Sequence, residues 1–227
     1  MKTNLDQKGI INWNNSYSIV NSQNLWGDDE VPIMKKVVDI FNQTGGKKFM
    51  DIPCGDGRNL NSLSEKLDIV IGMDSSQNAL NISMARLKHF DLKNVLLTKG
   101  DIYDLPFQKE QLDGIFCWDI LGHLVTPEKA LKSLHKNLKT NGILIGSFFT
   151  LNDSTRDSKM VKIGLEEFIY EDQFYFRYYT KTEVETLLSD VGFKIKEIYA
   201  YSWNEPPHEG YREYPHMHES WFFVAEK

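Results

Sequence analysis

Between residues 48 and 149 the chain repeats one rhythm: a short apolar run, a turn, then a stretch with helical spacing of apolar residues. Lys48-Phe-Met-Asp-Ile52, Ile69-Val-Ile-Gly-Met73, Val95-Leu-Leu-Thr98, Gly114-Ile-Phe-Cys-Trp118 and Ile143-Leu-Ile-Gly-Ser-Phe-Phe149 read as strands. Leu60–Leu67, Ser76–Leu87 and Pro127–Leu138 read as the helices between them, and Asn141-Gly142 as the turn into the fifth strand. Continuous apolar runs suit strands buried on both faces, and a helix between two strands supplies the crossover that parallel pairing needs. The rhythm predicts an α/β fold with a parallel sheet covered by helices on both sides.

The flanks depart from the rhythm. The first 25 or so residues are polar and aromatic, with Trp13, Tyr17 and Trp26 along them, and Val31–Phe41 then shows helical spacing. Pro32 suits the first turn of that helix and Gly45-Gly46 its end. Residues from about 150 to 179 mix polar and aromatic types and read as an insertion over the sheet edge. Thr180-Lys-Thr-Glu183 is a capping box opening a helix to Asp190, with Gly192 closing it. Phe193–Tyr201 and Glu219–Glu226 read as strands. The expectation is one domain over residues 1–227, with an N-terminal lid or helical arm (about 1–44) and the insertion (about 150–179) over the site.

At 227 residues the chain is long enough to bury a core without staples. Its net charge is −6 and no Lys/Arg cluster stands out, which argues against a nucleic-acid partner. Two cysteines far apart in sequence, no apolar leader and no apolar run near membrane-span length point to a cytoplasmic protein without a membrane partner, monomeric or homodimeric.

The first strand ends at Asp51, and Gly55 and Gly57 follow at once. Glycines there let the backbone pass close under a ligand and turn into a helix. A pyrophosphate at that helix start would be repelled by Asp51, whereas a ligand carrying an ammonium and a sulfonium would be attracted. The second strand ends at Asp74-Ser75, about 20 residues past the loop, where a carboxylate can accept two ribose hydroxyls. The third ends at Gly100-Asp101-Ile102, where a carboxylate can accept an adenine amine. A strand-end Asp alone is often a turn or cap residue; three on consecutive strands form a row along one edge.

These segments, with Leu112-Asp-Gly-Ile-Phe-Cys-Trp-Asp-Ile-Leu-Gly-His-Leu124, resemble the ordered motifs of class I S-adenosylmethionine-dependent methyltransferases over residues 45 to 150, and more weakly through Gly192-Phe193. The resemblance implies a Rossmann-like, seven-stranded mixed sheet with the last strand antiparallel. It implies S-adenosylmethionine as cofactor, with S-adenosylhomocysteine as product. Asp51 would sit near the methionine amine, Gly55 and Gly57 would floor the loop, and Arg58 and Asn59 would stand at its helical end. Asp74, with Ser75 beside it, would bind the ribose, and Asp101 the adenine, with the Ile102 backbone alongside. Cys117 and Trp118 would line the cofactor near its methyl group, and His123 would border the active site. Pro53 stands where the family usually has glycine, so one N–H contact to the amino-acid end would be missing.

Methyl transfer from a sulfonium needs orientation above all, and a base only where the acceptor carries a proton. Trp26 is the expected lid residue, and Tyr17, Tyr175, Tyr179, Trp203, Tyr211 and Tyr214 are further candidates to shape a pocket. His208, His216 and His218 fall within eleven residues of a chain with six histidines. They read as a metal site with Glu219, as a general base, or as a solvated loop; no metal is expected. The candidate catalytic residues are His123, His216, His218 and Tyr17. The leading expectation is methyl transfer to a small metabolite or natural product. The rivals are a nucleic-acid or protein methyltransferase, an NAD(P)-dependent oxidoreductase, and a binding protein without catalysis.

Overall fold

The computed structural model describes residues 2–19, 25–27, 29–156, 159–208 and 212–227. Its central sheet has seven strands: β1 (Lys48–Asp51), β2 (Ile69–Asp74), β3 (Val95–Lys99), β4 (Leu112–Cys117), β5 (Leu138–Phe149), β9 (Lys194–Glu205) and β10 (His216–Glu226). Their order across the sheet is β3-β2-β1-β4-β5-β10-β9. β1 pairs in parallel with β2 and β4, β2 with β3, and β4 with β5, while β10 runs antiparallel to both β5 and β9. The mixed, Rossmann-like sheet expected from the sequence is thus present, with β10 inserted against the direction of the rest.

Side-chain alternation divides the core in two. Phe49, Phe116, Ile143, Ile145, Phe222 and Val224 pack with α2 (Met34–Gln43), α3 (Leu60–Lys66) and α4 (Gln77–His89). Met50, Ile115, Leu144, Phe148, Phe223 and Ala225 face α5 (Pro127–Asn137) and α6 (Lys181–Val191). Residues one apart on a strand point to opposite faces, so each strand feeds both layers.

A third cluster lies beyond the carboxyl ends of the parallel strands. There α1 (Lys2–Ile19) meets a small antiparallel sheet of β6 (Met160–Gly164), β7 (Glu167–Tyr170) and β8 (Phe174–Arg177) through Tyr17, Phe149, Phe168, Phe174 and Phe176. The aromatic run of residues 168–179 is therefore a folded sheet whose rings pack inward. Among the described residues no helix is long and apolar enough to cross a membrane.

Several boundaries differ from the sequence reading. α2 begins at Met34, because the Met34 N–H first closes a turn on the Val31 carbonyl, and Pro32 lies in that turn. Asn141-Gly142 lies inside β5, where the pairing with β4 shifts register, and does not precede it. β10 starts at His216, so two of the three clustered histidines stand on a strand. α6 keeps both its expected ends. Thr180 Oγ accepts from Glu183 N (3.3 Å), Glu183 accepts from Thr180 N (2.8 Å), and Gly192 closes the helix at φ +101°. Removing a cap oxygen typically costs ~1 kcal/mol. Thr180→Ala is expected to lower the unfolding free energy by that amount, seen as a lower urea midpoint with an unchanged slope in chemical denaturation.

Candidate active site

Parallel strands end along one edge, so whatever follows β1, β2, β3 and β4 is gathered there. Two hydrogen bonds lock the first turn to the end of β2, and a third ties the end of β2 to the start of α4. Cys54 N–H donates to the Met73 carbonyl (2.9 Å), Gly55 N–H to Asp74 Oδ2 (2.9 Å), and Ser76 N–H to Asp74 Oδ1 (2.8 Å). Gly55 sits at φ +53°, and a Cβ there would stand 2.7 Å from the Tyr17 hydroxyl, so both backbone and space require glycine. Each oxygen of Asp74 keeps a second lone pair. Burial raises its pKa to about 6, against the pull of the backbone donors.

Asp51 is different in kind. It is fully buried, and among the described residues neither of its carboxyl oxygens has a hydrogen-bond partner. Burial, then the Asp74 charge, push its pKa well above the carboxylate range, with the Arg58 guanidinium pulling the other way. A buried carboxylate without donors is an incomplete site, and a cationic group would complete it.

Three cavities with shared walls follow this edge. The first, about 680 Å³, is lined by Asp74, Ser75, Asp101, Ile102, Tyr103 and His123. The second, also about 680 Å³, is lined by Trp13, Tyr17, Trp26, Asp119, Phe149, Phe176 and His218 among others. The third, about 570 Å³, is lined by Gly55, Arg58, Asn59, Trp118, Asp119 and Glu205. Pro53 lines all three, so its ring is the common partition.

α1 roofs the first two cavities. Asp6 accepts from Val125 N–H (3.0 Å) and the Tyr103 hydroxyl (3.0 Å). Asn14 binds Ser76 and Asn78 at the start of α4. Trp26 Nε1–H donates to the Tyr17 hydroxyl (2.8 Å) above Gly55. Tyr17 is wholly buried beside Asp56 and Asp74, which with desolvation hold its phenol well above 10. It covers the loop, and its proton is held too tightly for it to serve as a base at neutral pH.

The histidines separate by environment. His123, on the short 3-10 turn Leu121–His123, makes an Nδ1 hydrogen bond to the Tyr175 carbonyl (2.9 Å), and burial lowers its pKa to about 4. It borders the first two cavities as a neutral ring. His218 Nδ1–H donates to Asp153 Oδ2 (3.0 Å), and the imidazole stacks on Trp203 with ring centroids 4.9 Å apart. Asp153 also accepts from Glu219 N–H, Thr155 N–H and the Thr155 hydroxyl, and lies below its usual pKa with the His218 contact as the main cause opposing burial. His208 and His216 pack edge to face with centroids 5.3 Å apart, away from all three cavities.

The structure corrects parts of the sequence reading. Cys117 lines no cavity, because strand alternation turns it into the core with Met50 and Leu144, while Trp118 faces the third cavity. Gly57 turns at φ +85° against Ser83 and Leu60 and lies outside the three cavities. His216, expected as a catalytic candidate, lines none of the three cavities: the Tyr214 carbonyl holds its Nδ1, and its Nε2 is buried with no partner among the described residues. Among the described residues no three His, Cys, Asp or Glu side chains converge as a metal-ligand set. Tyr179 and Trp203 belong to the cores, Tyr175 lines the first cavity, and Tyr214 accepts from Arg212 (2.9 Å). Tyr211 lies outside the described residues. Sequence reasoning missed Asp119, Asp153 and Trp13. Asp119 sat in view beside Trp118, whereas nothing local marks Asp153.

A family model described as a methyltransferase domain matches residues 43–192, which span β1 to α6. The chain belongs to the class I S-adenosylmethionine-dependent methyltransferases. A ubiquinone biosynthesis O-methyltransferase of Glaesserella parasuis is 28% identical over 174 residues, 73% of each chain. A demethylmenaquinone methyltransferase of Staphylococcus saprophyticus is 31% identical over 114 residues, 49% of this chain and about half (48%) of that relative. The structure of the Burkholderia thailandensis 1,6-didemethyltoxoflavin-N1-methyltransferase, with 1,6-didemethyltoxoflavin and S-adenosylhomocysteine bound, has a TM-score of 0.71. It is 17% identical and covers 100% of this chain and 90% of its own.

The unpaired state of Asp51 has a consequence for this methyltransferase without ligand. A carboxylate whose folded pKa is raised above its ordinary 3.8 binds more protons folded than unfolded in between. Stability therefore falls as pH rises from that value through the folded pKa. Asp51→Asn is expected to stabilise the ligand-free protein at pH 8 and to change it little at pH 3, read by urea unfolding at both.

Proposed function

We propose that this methyltransferase binds S-adenosylmethionine across the ends of β1, β2 and β3 and transfers the methyl group to a small molecule in the second cavity. The observation that carries this is the row of acids. Asp51 and Asp74 end β1 and β2, Asp101 follows the adjacent β3 by two residues, and Asp74 and Asp101 share one cavity under α1. Asp51, which has no donor among the described residues and lines none of the three cavities, would take the ammonium of the amino-acid end through a water. Gly55, Arg58 and Asn59 would hold that end in the third cavity; Arg58 is steered there by Glu205 (3.3 Å) and Asn59 by Val31 N–H (3.1 Å). Pro53 supplies no N–H, and its ring would instead pack against the ligand from all three cavities.

Asp74 would accept the ribose hydroxyls on its remaining lone pairs, with Ser75 beside it. Asp101, whose Oδ1 accepts from Tyr103 N–H (2.9 Å), would accept the adenine amine against the Ile102 wall. Trp26 and Trp118 would flank the reacting end, where the second and third cavities meet at Asp119 and His218. When bound, the cofactor supplies an electrophilic methyl group on a sulfonium. The protein's task is then to orient the acceptor and exclude water.

The roof formed by α1 and β8 favours a small acceptor over a polymer. The relatives point the same way, since demethylmenaquinone, the compounds of ubiquinone biosynthesis and 1,6-didemethyltoxoflavin are small molecules. Transfer of label from methyl-labelled S-adenosylmethionine into the low-mass fraction of a metabolite extract is the expected result; label confined to nucleic acid or protein would overturn it. Asp74→Asn puts an amide donor where one acceptor oxygen stood. S-adenosylhomocysteine should then bind roughly 10- to 100-fold more weakly by calorimetry, the scale of a lost charge-assisted hydrogen bond.

A further inference from the structure

We propose that His218, held by Asp153, is the general base of the transfer, and that the acceptor is a flat aromatic ring bearing an ionisable hydroxyl. This rests on the reading of the site as an S-adenosylmethionine methyltransferase and names the acceptor class for it.

The geometry singles out one histidine. His218 lies where the second and third cavities meet, and its side chain keeps 12% of its surface exposed. Nδ1 is engaged by Asp153, and among the described residues Nε2 has no protein partner. Asp153 is nearly fully buried and accepts four hydrogen bonds, from Thr155 N–H, the Thr155 hydroxyl, His218 Nδ1–H and Glu219 N–H. Four donors fill the lone-pair sites of a carboxylate, so Asp153 has nothing left to offer a substrate. It fixes the tautomer of His218, aims Nε2 and stabilises the imidazolium, which makes it a positioning residue. The other candidates fail on the same grounds. His123 is too weak a base, His216 faces no cavity, and Tyr17 keeps its proton.

A dedicated base narrows the acceptor. An unprotonated amine or a thiolate already presents a free electron pair and needs none. A phenolic hydroxyl, with a pKa near 10 by comparison with tyrosine, holds its proton at neutral pH and needs one. The walls around His218 are aromatic: Trp13, Trp26, Phe149 and Phe176, with His123 packed edge-on to Phe176 at 4.3 Å between centroids. Such walls favour a planar ring. In the step, the acceptor's O–H proton passes to His218 Nε2, and its oxygen forms the new bond to the methyl carbon. The C–S bonding pair stays on sulfur as a neutral thioether, and the imidazolium later returns its proton to solvent.

The groups facing His218 set the pH at which it is free to act. Asp153 after β5, Asp119 after β4 and Glu205 on β9 raise its pKa, while burial opposes them. Burial, with the His218 charge added to it, holds His216 on β10 and His123 on the 3-10 turn low, Arg58 faces Asp119, and Arg212 faces both low histidines. The neutral imidazole is therefore reached only above the ordinary histidine range.

The test uses S-adenosylhomocysteine and 4-nitrocatechol, whose absorbance reports its own ionisation. Calorimetry should find S-adenosylhomocysteine bound by wild type and, within about two-fold, by His218→Gln; failure of wild type to bind overturns the functional reading itself. With S-adenosylhomocysteine in place, 4-nitrocatechol added below its own pKa should bind as the phenolate in wild type and lose that band in His218→Gln. No band in wild type, or an equal band in His218→Gln, overturns the base assignment while the cofactor reading stands. The His218 ring resonance of the ligand-free protein should titrate above 6.5 in wild type and drop in Asp153→Asn. An unmoved resonance overturns the role of Asp153, and if Asp153→Asn does not fold, the two His218→Gln arms decide.

Discussion

The bond from Gly55 N–H to Asp74 Oδ2 ties the turn after β1 to the end of β2, and the site is arranged around it. Because that carboxylate also receives Ser76 N–H, one side chain sets the glycine turn and the start of α4 together. α4 in turn anchors α1 through Ser76 and Asn78, and α1 carries Trp13 and Tyr17 over the edge. A substitution at Asp74 would therefore loosen the loop, the helix start and the roof at once, besides removing acceptors from a ligand. On the proposed reading, ligand binding and structural demands meet here in one residue.

The carboxylates of the site fall into two electrostatic classes. Asp153 is saturated with donors and sits below its ordinary pKa, so it is an ionised, finished part of the fold. Asp51 has no donor, and Asp74 and Asp119 are raised to about 6 by burial. Unsatisfied or half-satisfied buried acids oppose folding, and they persist where a ligand supplies the missing partners. The distribution separates the groups that await a ligand from the group that positions a neighbour.

Much of this was legible in the chain. The strand–helix rhythm fixed the layered architecture because a buried parallel strand has no other sequence form than a short apolar run between helices. The strand-end acids were visible for the same reason: once the strands are placed, the next residue lies on the binding edge. The capping box at Thr180 and the left-handed Gly192 are local devices, readable without tertiary context. What failed to show was long-range. α1 carries no clean apolar stripe, since its contacts are shared among polar bonds to Val125, Ser76 and Gln173 and a few aromatic rings. Asp153 and His218 are separated by a small sheet and a helix, and only the pairing of β10 with β5 brings them together.

That pairing also explains why two histidines with the same strand parity diverge. His216 and His218 lie on one face of β10 with ring centroids 4.8 Å apart. The ladder with β5 begins at Ser220, opposite Phe149, so His218 stands just past the end of β5 and over the cavity. There the chain leaving β5 turns back and delivers Asp153 to its Nδ1. His216, one pleat farther out, pairs with Glu205 at the far end of β9 and packs on His208, with no carboxylate hydrogen-bonded to its ring. A shift of two residues along a strand thus separates a buried, neutral, structural imidazole from one whose charge and direction are set by a dedicated carboxylate. Antiparallel insertion of the last strand is what allows this, because it brings the start of β10 to the edge where the parallel strands end.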